Sequence, residues 1–183
     1  GVEKRKISRF TYWIDLNIFK KIKNAKKIIG WQKKFIVLFV GRLIPEKGIA
    51  ELLEAATLWN KKIYLVIAGV GPFESKIIAL SKTHENIIYL NSLSQSKLPI
   101  YYSAADLLIV PSVHEEGFGR VILESLACET PVLGSNRGSI PEALDSTVGK
   151  LIDISVQSIR EEAYFMKILR SWLDCQRALG NMH

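Results

Sequence analysis

The stretch FIVLFVGRLIPEKGIAELLEAATLW (35–59) changes its character twice. FIVLFV (35–40) is apolar without a break, as expected of a strand covered on both faces. GRLIPEKG (41–48) then interrupts it with two glycines, a proline and two cations. KGIAELLEAATLW (47–59) carries Ile49, Leu52, Leu53 and Ala56 at helical spacing. This is a strand, a loop and a helix. The unit recurs along the chain. Strand-length apolar runs lie at IYLVIAG (63–69), NIIYLN (86–91), DLLIVP (106–111), PVLGS (131–135) and TVGKLI (147–152). Helical patterns lie between them at 72–82, 96–105, 118–127 and 138–144. The alternation predicts an α/β domain: an open parallel sheet of about six strands with helices on both faces. Ligands of such sheets sit beyond the carboxyl ends of the strands. The strand-to-helix loops are therefore the segments to read for chemistry.

The chain has 183 residues, 48% hydrophobic and 23% charged, enough for one domain with a real core. No apolar run reaches the length that spans a bilayer. GVEKRKISRF (1–10) has no apolar segment behind its charges, so no signal peptide is expected there. Cys128 and Cys175 are read as reduced thiols of an intracellular protein, which points to the cytoplasm. The net charge is +7, concentrated in KKIKNAKKIIGWQKK (20–34). Such a run suits a solvated helix face, an acidic lipid surface or an anionic substrate. It lacks the interleaved aromatic residues of a single-strand nucleic-acid patch, and no nucleic acid is expected as partner.

The fourth loop, PSVHEEGFG (111–119), leads into FGRVILESLA (118–127). Gly117 and Gly119 allow a tight turn at a helix entrance, where free N–H groups suit phosphate. Glu116 and Glu124 are eight residues apart. On a helix that is roughly 12 Å along the axis and about 80° around it. Both can face one groove, but they cannot share one atom. They suit the two ends of an elongated ligand with hydroxyls at each end and anionic charge between, such as a nucleoside-diphosphate sugar. A capping acid and a surface acid would also explain them. In the first loop, Arg42 and Lys47 follow a buried strand, with Pro45 stiffening the turn. A guanidinium fork and an ammonium there suit a diphosphate leaving group. Two solvated surface cations remain the alternative.

Other chemistry is poorly supported. His84, His114 and His183 are scattered, and no Cys/His spacing suits a metal. No Asp-x-Asp pair and no P-loop occurs. GFGRVI (117–122) has Ile122 where a dinucleotide fingerprint needs its third glycine, and the second strand ends in Ala68 and Gly69 rather than an acid.

FVGRLIPEKG (39–48), LVIAGVGP (65–72), YYSAADLLIVPSVHEEGFGRVILESLA (101–127) and PVLGSNRGSIPEAL (131–144), in this order, resemble the C-terminal, donor-binding domain of retaining GT-B glycosyltransferases. The group includes relatives of glycogen synthase and lipid mannosyltransferases that use nucleotide-diphosphate sugars. The resemblance covers roughly residues 10–180. It implies a single Rossmann-like domain, half of a GT-B fold. It implies that Arg42 and Lys47 hold the donor diphosphate and that Glu116 accepts hydrogen bonds from the donor sugar. Gly117, Phe118 and Gly119 would offer amides to phosphate or sugar. Glu124 would bind the ribose, and Ser92 and Leu93 would lie near the base. Arg42, Lys47 and Glu116 are the catalytic candidates. No cofactor or metal is expected, and a UDP- or GDP-linked sugar is the expected substrate.

The pattern departs from the family at Val70, where an acid is common, and at Glu129 and Ser139, where glycine is common. SRFTYWIDLNIFK (8–20) resembles the linker that follows the acceptor domain. The expected organisation is thus 1–34 as a basic linker and helix from a missing N-terminal domain, and 35–183 as the nucleotide-sugar-binding domain. The acceptor domain would act in cis or in trans. The implied activity is metal-independent transfer of a sugar to a glycan or lipid hydroxyl, in the cytoplasm or at the cytoplasmic face of a membrane. The alternative is a noncatalytic subunit that binds a nucleotide sugar and completes a partner carrying the acceptor domain.

Overall fold

A computed structural model describes residues 3, 6, 13–114, 119–144 and 148–152. The first described helix is α1 (Ala25–Ile29). Five strand-and-helix steps and a last strand follow it. They run β1 (Phe35–Val40), α2 (Ile49–Thr57), β2 (Ile63–Ala68), α3 (Glu74–Thr83), β3 (Ile87–Tyr89), α4 (Leu98–Ala104), β4 (Leu107–Val110), α5 (Arg120–Ala127), β5 (Val132–Ser135), α6 (Ile140–Ala143) and β6 (Gly149–Ile152). A single 3₁₀ turn, Pro45–Lys47, precedes α2. All six strands are parallel, in the order β3-β2-β1-β4-β5-β6. The predicted fold class is the observed one.

The continuous apolar runs are explained by what each face meets. Along β1, Val37 and Phe39 point to one side and Ile36 and Leu38 to the other, all buried. On the first side they join Ile49, Leu52 and Leu53 of α2 and Ile77 of α3. On the second they join Tyr102 of α4, Ile122 of α5 and Ile140 of α6. β4 divides the same way, Leu107 and Ile109 against Leu108 and Val110. Each fully buried aliphatic side chain contributes about 1.5–3 kcal/mol of transfer free energy, so a polar residue on either face is costly.

The basic segment before β1 is anchored rather than merely solvated. Phe19, Ala25 and Trp31 are buried against the second core. Phe19 meets Tyr102 edge-on at 6.2 Å, and Trp31 lies 5.9 Å from Tyr101. The Ile22 amide donates to Ser103 Oγ at 2.9 Å. Lys26 Nζ donates to both oxygens of Asp106, at 2.7 and 2.5 Å, and Asp106 Oδ2 also accepts from the Ile36 amide at 2.7 Å. One carboxylate thus ties this segment to the start of β1 and the entrance of β4. Lysines on the outer side, such as Lys20, Lys21, Lys23 and Lys27, remain exposed. Among the described residues, no helix is long and apolar enough to cross a membrane.

Candidate functional site

The strand order reverses between β1 and β4, because β2 lies on one side of β1 and β4 on the other. The loops leaving β1 and β4 diverge there and leave a crevice at the carboxyl ends. The β1 loop first continues the ladder with its neighbour. The Gly41 amide donates to the Ala68 carbonyl at 3.0 Å, and the Leu43 amide to Val70 at 2.9 Å. These loops pass so closely that a Cβ on Gly69 would lie 1.8 Å from the Gly41 oxygen. The two glycines of GVGP therefore serve close packing, Gly71 in the same way against Leu43. The second loop is braced from β3 as well: Tyr89 Oη donates to the Gly69 carbonyl at 3.0 Å.

The chain then turns through Pro45–Lys47 and enters α2 at Gly48, which has φ +68°. This turn is fastened to the loop after β4. The Val113 amide donates to the Glu46 carbonyl at 3.0 Å. Lys47 is thereby fixed between the two loops that the sequence singles out.

Two adjoining clefts open at this end of the sheet. One, of about 220 Å³, is lined by Arg42 and Lys47 on one wall and by Ser112, Gly119 and Arg120 on the other. The second, of about 190 Å³, is lined by Arg42, Gly69, Val70, Ser92, Leu93 and Leu98. They share Val40, Gly41 and Arg42. The structure thus brings together Arg42, Lys47 and Gly119 around one hollow and Arg42, Ser92 and Leu93 around the next. Arg42 stands at their junction and is exposed. Arg42, Lys47 and Arg120 line the first cleft and Arg42 also lines the second, so a cation stands where the two adjoin, which suits a ligand with anionic charge between two neutral ends.

Glu116, Gly117 and Phe118 lie outside the described residues. Glu124 is described, and its surroundings differ from a simple exposed acceptor. It is 6% exposed and lines neither cleft. Its Oε2 accepts from Tyr102 Oη at 2.9 Å, and its Oε1 lies 3.7 Å from Arg120 Nη2. Burial pushes its carboxyl above the ordinary value of 4.5, with the Tyr102 hydrogen bond and the Arg120 charge pulling the other way. The same burial, together with the charge of Glu124, pushes the Tyr102 hydroxyl well above its ordinary value. Tyr102 is held in turn through its backbone: Thr130 Oγ1 donates to its carbonyl at 2.6 Å, and Ser125 Oγ donates to the Thr130 carbonyl at 2.8 Å. Glu124 therefore sits on a rigid scaffold of α4, α5 and the turn after α5.

Arg120 and Tyr102 were not among the sequence candidates. Arg120 stands next to Gly119 as the first residue of α5, a placement that could have marked it as a lining residue. Nothing local in YYSAA (101–105) marks Tyr102 as the partner of an acid twenty-two residues on. Cys128 is buried, and burial raises its thiol to about 11. It is inert at neutral pH. Cys175 lies outside the described residues. A larger hollow of about 330 Å³ opens at the opposite end of the sheet, around Trp59, Lys61, Tyr64 and His84. Several of its polar groups are engaged by the fold: Asn86 Nδ2 donates to the Ala56 carbonyl, Thr57 Oγ1 to Glu54 and Thr83 Oγ1 to Leu80.

Comparison with known proteins bears on the family and the fold. The model of the family "Glycosyl transferases group 1" matches residues 21–179. An uncharacterized glycosyltransferase of Methanocaldococcus jannaschii is 35% identical over 149 residues, covering 78% of this chain and 37% of that protein. The sucrose-phosphate synthase of Thermosynechococcus elongatus superposes with a TM-score of 0.71 at 25% identity, over 87% of this chain and 43% of that one. Anabaena HepE, solved with UDP-glucose, superposes with a TM-score of 0.72 at 22% identity, over 90% and 47% of the two chains. The chain spans less than half the length of each of these three proteins. With that family model matched over most of its length, the chain belongs to the group 1 glycosyltransferases.

Proposed function

We propose that this chain is the donor-binding half of a retaining, metal-independent glycosyltransferase that takes a UDP- or GDP-sugar and passes the sugar to a hydroxyl of a glycan or lipid. The carrying observation is the junction at Arg42, where a cleft containing Lys47 and Gly119 meets a cleft containing Ser92 and Leu93. A diphosphate centred at Arg42 and Lys47 points its nucleoside toward Ser92 and Leu93 and its sugar toward the loop that carries Glu116, Gly117 and Phe118. In transfer, the bond between the sugar's anomeric carbon and the diphosphate oxygen breaks. A bond to the acceptor oxygen forms, and the acceptor proton passes to the departing diphosphate oxygen. Charge grows on the leaving diphosphate, and fixed cations aimed at it stabilise the transition state more than the ground state. Arg42 and Lys47 do this in place of a divalent ion. Glu116 orients the sugar, and Glu124 receives the ribose hydroxyls.

An acceptor domain, in cis or in trans, supplies the other wall of the active cleft. The exposed lysines before β1 suit a peripheral site at the cytoplasmic face of an anionic membrane, which fits a lipid-linked acceptor. UDP is the first nucleotide to test, since HepE was solved with UDP-glucose. Saturation-transfer NMR of the chain with a panel of UDP- and GDP-sugars tests the reading. Expected is saturation of base, ribose and sugar protons for at least one donor. Absence of transfer to every member of the panel contradicts it.

A further inference from the structure

We propose that Arg120 is a third phosphate-binding cation, and that a nucleoside diphosphate binds by taking Arg120 away from Glu124. This deepens the reading above and rests on it. Arg120 lines the same cleft as Arg42 and Lys47, and its side chain is 54% exposed. Its present contact with Glu124 Oε1, at 3.7 Å, is longer than the 2.7–2.9 Å typical of charge-assisted hydrogen bonds. It is an i,i+4 pair in the weaker order, with the cation nearer the helix N-terminus. The two ends differ: the Glu124 side chain is 8% exposed and keeps its hydrogen bond from Tyr102, so the solvent-facing guanidinium is the partner that can move.

The position also favours an anionic ligand. Arg120 is the first residue of α5, where the positive end of the helix dipole disfavours a cation. Arg42, Lys47, Arg120 and that helix end all bear on one cleft of about 220 Å³. An anion there is attracted by each of them. A diphosphate offers Arg120 several charged oxygens in place of one shared carboxylate oxygen. Glu124 cannot follow it, because Tyr102 holds Oε2 at 2.9 Å and α5 is fastened to α4 through Thr130. Glu124 lines neither cleft in the free protein, and departure of Arg120 would uncover Oε1 at the edge of the first one for a ribose hydroxyl. Phosphate and nucleoside recognition are thus linked through one side chain. In the free protein Arg120 competes with the ribose, and in the complex it binds the phosphate that the ribose carries.

The test is a titration of the 183-residue chain, wild type, Arg120→Gln and Arg120→Lys, with three probes. They are inorganic pyrophosphate, UDP (or GDP, whichever the wild type takes) and the matching nucleoside. Arg120→Gln is expected to lose roughly tenfold in affinity for pyrophosphate and for the nucleotide, the scale of one charge-assisted contact. Its affinity for the nucleoside is expected to hold or rise, because nothing competes for Glu124. Arg120→Lys keeps most of the pyrophosphate affinity. If Arg120→Gln binds the nucleotide as the wild type does, or loses nucleotide and nucleoside affinity equally, the inference is overturned while the proposed function stands. A wild type that takes neither nucleotide overturns both.

Discussion

Gly48 and Pro111 touch backbone to backbone: a Cβ placed on Gly48 would fall 1.9 Å from the Pro111 carbonyl oxygen. Gly48 ends the turn that carries Lys47, and Pro111 leaves β4 toward the loop that carries the sugar-side residues. The closeness of the two walls of the cation-lined cleft depends on a missing side chain. Gly48 also has φ +68°, so alanine there is strained twice over, in conformation and in space. Gly48→Ala is expected to lower unfolding free energy by about 2–4 kcal/mol. It should lower nucleotide affinity as well, by moving Lys47. Urea denaturation measures the first effect, and a fully stable Gly48→Ala variant would contradict the contact.

The Tyr102–Glu124 hydrogen bond makes a pH prediction. Burial raises the Glu124 carboxyl above 4.5 in the folded chain. A group raised on folding binds more protons folded than unfolded, so its contribution is present below the unfolded value and is lost as pH rises through the folded one. Glutamine keeps an acceptor for Tyr102 and has no charge to bury. The stability of Glu124→Gln relative to wild type is therefore expected to improve as pH rises from below 4.5 toward neutrality. Denaturation curves collected across that window check it. A difference that stays constant, or moves toward the wild type, contradicts the assignment.

Glu129 adopts φ +57° in the turn after α5. A glutamate in the left-handed region is strained by about 1 kcal/mol. Glu129→Gly relieves that strain, offset in part by the greater freedom of glycine in the unfolded chain. A net gain of roughly 0.5 kcal/mol is expected, seen as a rise in Tm of a few degrees. A fall in Tm contradicts it.

Much of this was legible in the sequence because a parallel sheet covered on both faces writes its strands as unbroken apolar runs. FIVLFV at 35–40 coincides with β1, and the other five runs each contain their strand. The predicted ends overshoot by one or two residues: Asn91, Pro111 and Pro131 lie beyond the paired residues, although the Asn91 and Pro131 carbonyls still accept from Gly69 and Leu108. The placing of Arg42 and Lys47 follows from the carboxyl-end rule and could be read directly. Glu129 stands where glycine is common, and its left-handed turn is observed. Ser139 is not left-handed, with φ −91°, because Gly138 at +54° carries the turn. Three features were not legible. The anchoring of the basic segment depends on Asp106, eighty residues from Lys26. The burial of Glu124 depends on Tyr102 from another helix. The role of Gly48 depends on Pro111, which only the assembled sheet brings near. Spacing along a chain reports faces and periods, and these three depend on which distant residue arrives.

The central claim is that Arg42 and Lys47 jointly grip a diphosphate at the junction of the two clefts. Isothermal calorimetry of UDP and GDP into the wild-type chain, Arg42→Ala and Lys47→Ala tests it most directly. For whichever nucleotide binds, each variant is expected to lose roughly tenfold or more in affinity, the scale of a charged contact. Wild-type affinity is also expected to fall as salt is raised. Binding that is indifferent to both substitutions and to salt would contradict the claim.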